Sequence, residues 1–258
     1  MYKIGKFCLQ SRDAGRLLCS LLVILSFSFP ADSFSRQLTV SDSALVQKVR
    51  QVILNDSRLP IDGISIAVLK GAIRLKGGVN TLAQKRWIEE LIYGIPETKV
   101  VDNQLDVYAP NLDNDVLAER AKEQLLAIQN DLLDFSQTEL HCKEGKITLK
   151  GSVTCLGAKL HAEEVLAVVP GIRAIENNLR VRDPEHDSDE KIKRVVVEAL
   201  RAKIQMNRDF FIETSVVRGI VTLSGRLSSQ REHHLAIRTT LFTPGTAEIV
   251  DKIEVLPR

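Results

Sequence analysis

Cysteine, methionine and tryptophan are scarce in this chain of 258 residues, which has four Cys, two Met and one Trp, with aromatic residues at 5%. Two of the cysteines, Cys8 and Cys19, fall within the N-terminal 35 residues, so the rest is no disulfide-dense scaffold. An excess of charge of one sign is missing as well: 35 Lys and Arg oppose 33 Asp and Glu, a net +2. Lys3, Lys6, Arg12 and Arg16 against Asp13 and Asp32 account for that +2, and the remainder is neutral. A neutral chain lacks the broad positive field behind sequence-independent nucleic-acid binding, which sets that class aside. After residue 35 no segment approaches the roughly 20 apolar residues of a membrane span. What remains, 44% hydrophobic and 26% charged, has the composition of an ordinary globular protein.

The N-terminus has a grammar of its own. A basic stretch precedes the 13-residue apolar run Leu17 to Phe29, followed by Pro30 and small residues. This predicts a secretory signal peptide over residues 1–35, cleaved after Ser33 or Ser35, with a permanent anchor as the lesser reading because the run is short. Lipid attachment is not expected, since Cys19 lies near the start of the run with Arg16 three residues before it. The expectation is an exported, periplasmic protein, soluble or peripheral on a membrane.

Repetition dominates the remainder. Gly71, Gly145 and Gly219 are 74 residues apart and open the segments GAIRLKG, GKITLKG and GIVTLSG, which Gly77, Gly151 and Gly225 close. Pro96, Pro170 and Pro244 recur at the same interval, as do Val107, Val181 and Val255. Upstream of the glycines the register slips by about one residue. Three units follow, 41–109, 113–182 and 188–258, with polar joints at Ala109 to Asn114 and Asp183 to Asp189.

Each unit reads alike. A capping residue (Ser41 or Asp42, Asp113 or Asp115, Ser188 or Asp189) precedes a helical pattern, as in Leu45, Val49, Val52 and Ile53, or Ile192, Val195, Val196, Ala199 and Leu200. Two strands alternate apolar and polar residues: Ile64, Ile66 and Val68, then Ile73, Leu75 and Val79, with counterparts 74 and 148 residues on. The turns Lys70-Gly71, Glu144-Gly145 and Arg218-Gly219 place glycine where a tight hairpin needs positive φ. A second helix runs to just before the proline, and a last strand ends the unit. The predicted class is α+β: three tandem two-layer α-β-β-α-β domains, each a three-stranded mixed sheet with two helices on one face. The polar joints predict beads with some mutual freedom.

The helix, the Gly-x-(Val/Ile)-x-Leu-x-Gly segment, the central Ala162 and Ala236 of the second helix, Pro170-Gly171 and Pro244-Gly245, and the terminal strand together resemble the BON domain, the bacterial OsmY and nodulation module. The resemblance covers nearly the whole chain after the leader, three times over. The first unit departs from it, with Glu97 after the proline and Ile88 in place of alanine. It implies a non-enzymatic periplasmic or envelope protein, often induced by osmotic stress, whose modules associate with phospholipid or other envelope components.

Chemistry is not expected. His141, His161, His186, His233 and His234 do not pair with Cys or carboxylates at metal-ligand spacing. The glycine segments are strand punctuation rather than phosphate loops, and no Gly-x-Ser-x-Gly or His-Glu-x-x-His occurs. No catalytic residue, metal site or cofactor is therefore assigned. Cys142 and Cys155 are too far apart for a disulfide, with Cys142 a small apolar filler and Cys155 a surface thiol.

Two surface features carry binding expectations. Lys191, Lys193, Arg194, Arg201, Lys203 and Arg208 share one segment with a single acid, Glu198, and with Met206, Phe210 and Phe211. A basic helix ending in bulky apolar residues is what an anionic phospholipid surface attracts, although the aromatics could equally fill the core. In the first unit Trp87 and Tyr93 on the second helix are the candidates for a protein partner, another envelope protein or a second copy. Attachment to anionic lipid in support of envelope integrity is the first expectation, and a protein-interaction adaptor or self-assembling scaffold the alternative.

Overall fold

A computed structural model describes residues 40–59, 63–108, 113–182, 189–204, 206 and 208–256. The expected signal peptide, most of both joints and the capping role of Ser188 lie outside the described residues.

The first module runs α1 (Val40–Leu54), β1 (Ser65–Leu69), β2 (Ala72–Val79), α2 (Leu82–Tyr93), β3 (Val100–Val107). The second runs α3 (Asn114–Ala127), β4 (Thr138–Lys143), β5 (Lys146–Val153), α4 (Leu156–Ala167), β6 (Ala174–Val181). The third runs α5 (Asp189–Lys203), β7 (Phe211–Val217), β8 (Ile220–Leu227), α6 (Gln230–Leu241), β9 (Glu248–Val255). Each sheet keeps its strands in chain order, so the second strand is central. Hairpin partners are Val68 and Ile73, Cys142 and Ile147, and Val216 and Val221. The last strand pairs parallel to the central one, Gly151 beside Leu179 and Gly225 beside Ile253.

Glycine is required at two places in each unit for different reasons. At the hairpin turn, Lys70 and Gly71 both take positive φ (52° and 83°), as do Glu144 with Gly145 and Arg218 with Gly219. Two successive residues in that region make the turn whose twist matches the strands it joins. At Gly77, Gly151 and Gly225 the backbone of the preceding segment passes so close that a Cβ would lie 1.9 to 2.1 Å from a carbonyl oxygen.

The central strand supplies the core. Leu75, Leu149 and Leu223 are each fully buried, with Ile73, Ile147 and Val221 two residues before them. Each such side chain contributes on the order of 1.5–3 kcal/mol by leaving water. In the third module Ile192, Val196, Leu200 and Ile204 pack on Val221, Leu223, Leu227 and Ala236. Val195, expected on this face, is instead 37% exposed, one step of about 100° round the helix from Val196. The sheet's other face is polar, bearing Arg74 with Asp102 at 2.7 Å and Lys146 with Glu176 at 2.6 Å.

Most of the first module forms one compact unit; the second and third modules together form another. This corrects the expectation of loose beads for the latter pair. The N–H of Leu156 donates to the Thr246 carbonyl at 2.8 Å, and the N–H of Gly245 donates to the Thr154 carbonyl at 2.9 Å. Cys155, between those two groups, is fully buried, while Cys142 is half-buried. The expected surface thiol, Cys155, is thus the sealed one, because the third module covers the start of α4, whereas Cys142 keeps its expected place on the inward side of β4. Both cysteines are free.

Candidate functional site

Helix α5 has Asp189 and Glu190 in its first turn and Arg201 and Lys203 in its last, the charge order its dipole favours. Asp189 also reaches the hairpin turn of its own module, accepting the N–H of Arg218 at 2.8 Å and of Gly219 at 3.0 Å. Those two backbone bonds, Gly219 first, hold its carboxyl below the ordinary range. The second module uses Asn114 likewise, its side-chain oxygen accepting the Glu144 N–H at 2.9 Å. These ties fix the first helix against the sheet, and in the third module they set the position of the basic face.

Between α5 and β7 lies an open depression of about 1190 Å³. It gathers Lys193, Arg201, Lys203, Met206 and Phe211 of the expected lipid-contact set, with Val197, Leu200 and Ile204 beneath them. Phe211 is 36% exposed. Met206 is half-buried and also packs against the core. Lys203 donates to the Thr239 hydroxyl at 3.4 Å, which leans its stem over α6. Lys191, Arg194, Arg208 and Phe210 lie outside this lining; Phe210 is half-buried and the three cations are exposed. One acid, Glu213, lines the depression from the strand side, outside the helical segment whose charges drew notice in sequence.

Trp87, half-buried on α2, is held on two sides. Its indole N–H donates to Asp56 Oδ2 at 2.7 Å, and the Arg58 guanidinium stacks 4.5 Å from the ring centroid. Arg58 grips the same carboxylate at 2.8 and 2.5 Å, and this grip, with the indole second, holds the Asp56 carboxyl far below its usual range. Tyr93, six residues further along α2 at its end, is 53% exposed.

A further set of contacts was missed in sequence. Asn103 and Asn177, at equal places in the last strand, donate to the Lys85 and Lys159 carbonyls at 3.0 and 2.8 Å and clip the second helix to the sheet. In the third module the place is taken by Asp251, which cannot donate and instead meets His233 Nε2 at 2.7 Å. The 74-residue spacing of Asn103, Asn177 and Asp251 was the signal.

Among the described residues, no helix is long and apolar enough to cross a membrane, and no three His, Cys, Asp or Glu gather as a metal site would require.

A repeated two-layer α-β-β-α-β module with a Gly-bracketed central strand defines a tandem α+β repeat protein of one domain type, in which the third module alone has a basic last turn on its first helix. The BON domain model matches residues 41–109, 113–183 and 188–257, and the chain belongs to that family. It is 22% identical over 153 residues to the osmotically-inducible protein Y of Escherichia coli strain K12, covering 55% of this chain and 74% of that one. Among solved structures, the C-terminal domain of CdsD, a structural protein of the type III secretion system of Chlamydia trachomatis, aligns with 83% of this chain and 98% of its own. Its identity is 14% and its TM-score 0.24.

Proposed function

We propose that the protein is an exported, non-catalytic envelope protein that attaches reversibly to anionic phospholipid, chiefly through its third module, and so supports envelope integrity or tolerance of osmotic stress. The family and the osmotically inducible relative support the coarse reading. The observation that carries the finer one is the depression beside α5, where Lys193, Arg201 and Lys203 ring an apolar floor with Phe211 at its edge. Cations at that rim meet lipid phosphates while the apolar side chains reach the acyl boundary. Three rim charges beside one acid give weak, salt-sensitive attachment, not insertion, because each cation near an anionic surface contributes about 1 kcal/mol.

The test is co-sedimentation with anionic and with zwitterionic vesicles at low and moderate salt. Pelleting with anionic vesicles alone, lost as salt shortens the screening length to about 8–10 Å, supports the reading. Replacing Lys193, Arg194 and Arg201 by Gln should weaken pelleting with the fold unchanged; equal pelleting by that variant removes the third module from the proposal. Absence of pelleting under all conditions favours the protein-partner reading, for which exposed Tyr93 is the better contact because Trp87 is already engaged by Asp56 and Arg58.

A further inference from the structure

Strand β7 is an outer strand of its sheet, with β8 on one side and no strand on the other. Its two-residue hairpin turn settles which backbone groups face the open side. Val217 and Ile220 flank the turn and exchange both of their hydrogen bonds, so Ser215 and Glu213, at alternate places from there, also point their N–H and C=O at β8. The backbone groups of Val216, Thr214 and Ile212 therefore point outward. Two of these residues, Ile212 and Thr214, line the depression beside α5. The Thr214 hydroxyl oxygen is buried with no hydrogen-bond partner among the described residues. Buried oxygens without partners are rare, and this one belongs to a residue on an unpaired edge.

Open edges are ordinarily blunted by charge, proline or a bulge. The opposite edge of the same sheet, β9, carries Glu248, Asp251, Lys252 and Glu254, and the edge strand β4 carries Glu139, His141 and Lys143. In β7 the only charged residue is Glu213, so it is the least protected of the three.

An extended peptide laid between β7 and α5 continues the sheet and fits the helix as well. In an antiparallel pairing, peptide residues opposite Ile212, Thr214 and Val216 put their side chains on the same face as those residues. That is the face of the core, where Ile212 and Val216 pack with residues of α5. On α5, Lys193, Val197, Leu200 and Arg201 form one stripe along the depression, its two cations about 12 Å apart along the helix. Strand residues four apart share a face and lie about 13–14 Å from one another. Acids at two such places reach both cations, and an apolar residue midway lies over Val197 and Leu200.

We propose that this groove is a strand-addition site for an extended partner segment of the pattern acid-x-apolar-x-acid, held by the β7 edge, by Lys193 and Arg201, and by the apolar floor. A second copy is a poor occupant, because adding its own β7 brings the same cations. The proposal goes beyond lipid attachment: lipid phosphates need only the rim cations and leave the strand edge unpaired, so the two occupants exclude each other.

The test is fluorescence anisotropy of the labelled peptide Thr-Glu-Thr-Val-Thr-Glu-Thr with protein purified from cells expressing the full chain. No vesicle is present, so the outcome is separate from that of co-sedimentation. Binding should saturate, and should weaken by about tenfold or more when both peptide Glu are replaced by Lys. Replacing Lys193 and Arg201 by Gln, with an unchanged circular dichroism spectrum, should have the same effect. A peptide N-methylated at its Glu and Val residues should also lose about tenfold or more, because those N–H groups face β7. One N-methylated at its two inner Thr residues should bind within about twofold of the parent, since those face away. Absence of saturable binding overturns the proposal, as does equal binding by the Gln variant or an equal effect of the two methylation patterns.

Discussion

Gly157 and Phe242 contend for one space: a Cβ added to Gly157 would stand 2.7 Å from Cδ1 of the Phe242 ring. Glycine in a helix costs about 1 kcal/mol relative to alanine, so α4 sacrifices some of its own stability for the closeness of α6. Leu156 and Thr154 on either side of Cys155 complete the contact through their backbones.

Gly157→Ala should therefore loosen the third module from the second while leaving each folded. Cys155, fully buried at that contact, is the reporter. Its labelling by an aromatic disulfide under native conditions should accelerate by about tenfold or more, since local opening exposes it. An unchanged labelling rate would show that the contact tolerates the added methyl.

Gly151→Ala should cost more than about 3 kcal/mol in urea unfolding, because φ is 111° and the new Cβ would lie 2.0 Å from the Gln137 carbonyl oxygen. Gly63→Ala is the contrast. It too has positive φ, 91°, but no described atom lies within 4 Å of its Cβ position, so only backbone strain of about 1 kcal/mol is expected. Equal losses in the two variants would refute the steric account.

Asp134, held at about 2 by the Ser136 backbone N–H and then by Arg182, and Asp189, lowered by the Gly219 and Arg218 backbone N–H groups, set an acid limb of stability. Both folded values lie below the unfolded value of about 3.9, so the unfolded chain binds more protons. Their contribution is full above about pH 4 and is lost as pH falls through the folded values, near 2 for Asp134. Unfolding midpoints for Asp134→Asn and Asp189→Asn measured from pH 6 down to pH 2 should fall less steeply than for wild type. Parallel curves would contradict the assignment.

Trp87→Phe should destabilise the first module by about 1–3 kcal/mol, because the indole donates to an ionised carboxylate and stacks under Arg58. Thermal unfolding of the variant measures it. A loss of protein-partner binding with no loss of stability would give Trp87 a recognition role instead.

The basic face of α5 was legible in sequence because Lys193 and Arg201 sit on one helix and helical periodicity is local. Glu213, which faces them from β7, was not, since nothing in a helical segment tells which strand residues lie across from it. The grip of Asp56 and Arg58 on Trp87 was hidden for the same reason: the partners are about thirty residues apart, in different elements.

The sequence alone determined that there are three modules, the order of elements in each, the hairpin turns and the inward residues of the central strand. These follow from the 74-residue period, from alternation along a strand and from glycine at positive φ, all of which act within a few residues of one another. Only tertiary structure decided that the third module seals the start of α4 and that Cys155 rather than Cys142 is the sealed thiol. Those outcomes depend on how one module's surface meets another. A repeat pattern is blind to this, since it records what the modules share.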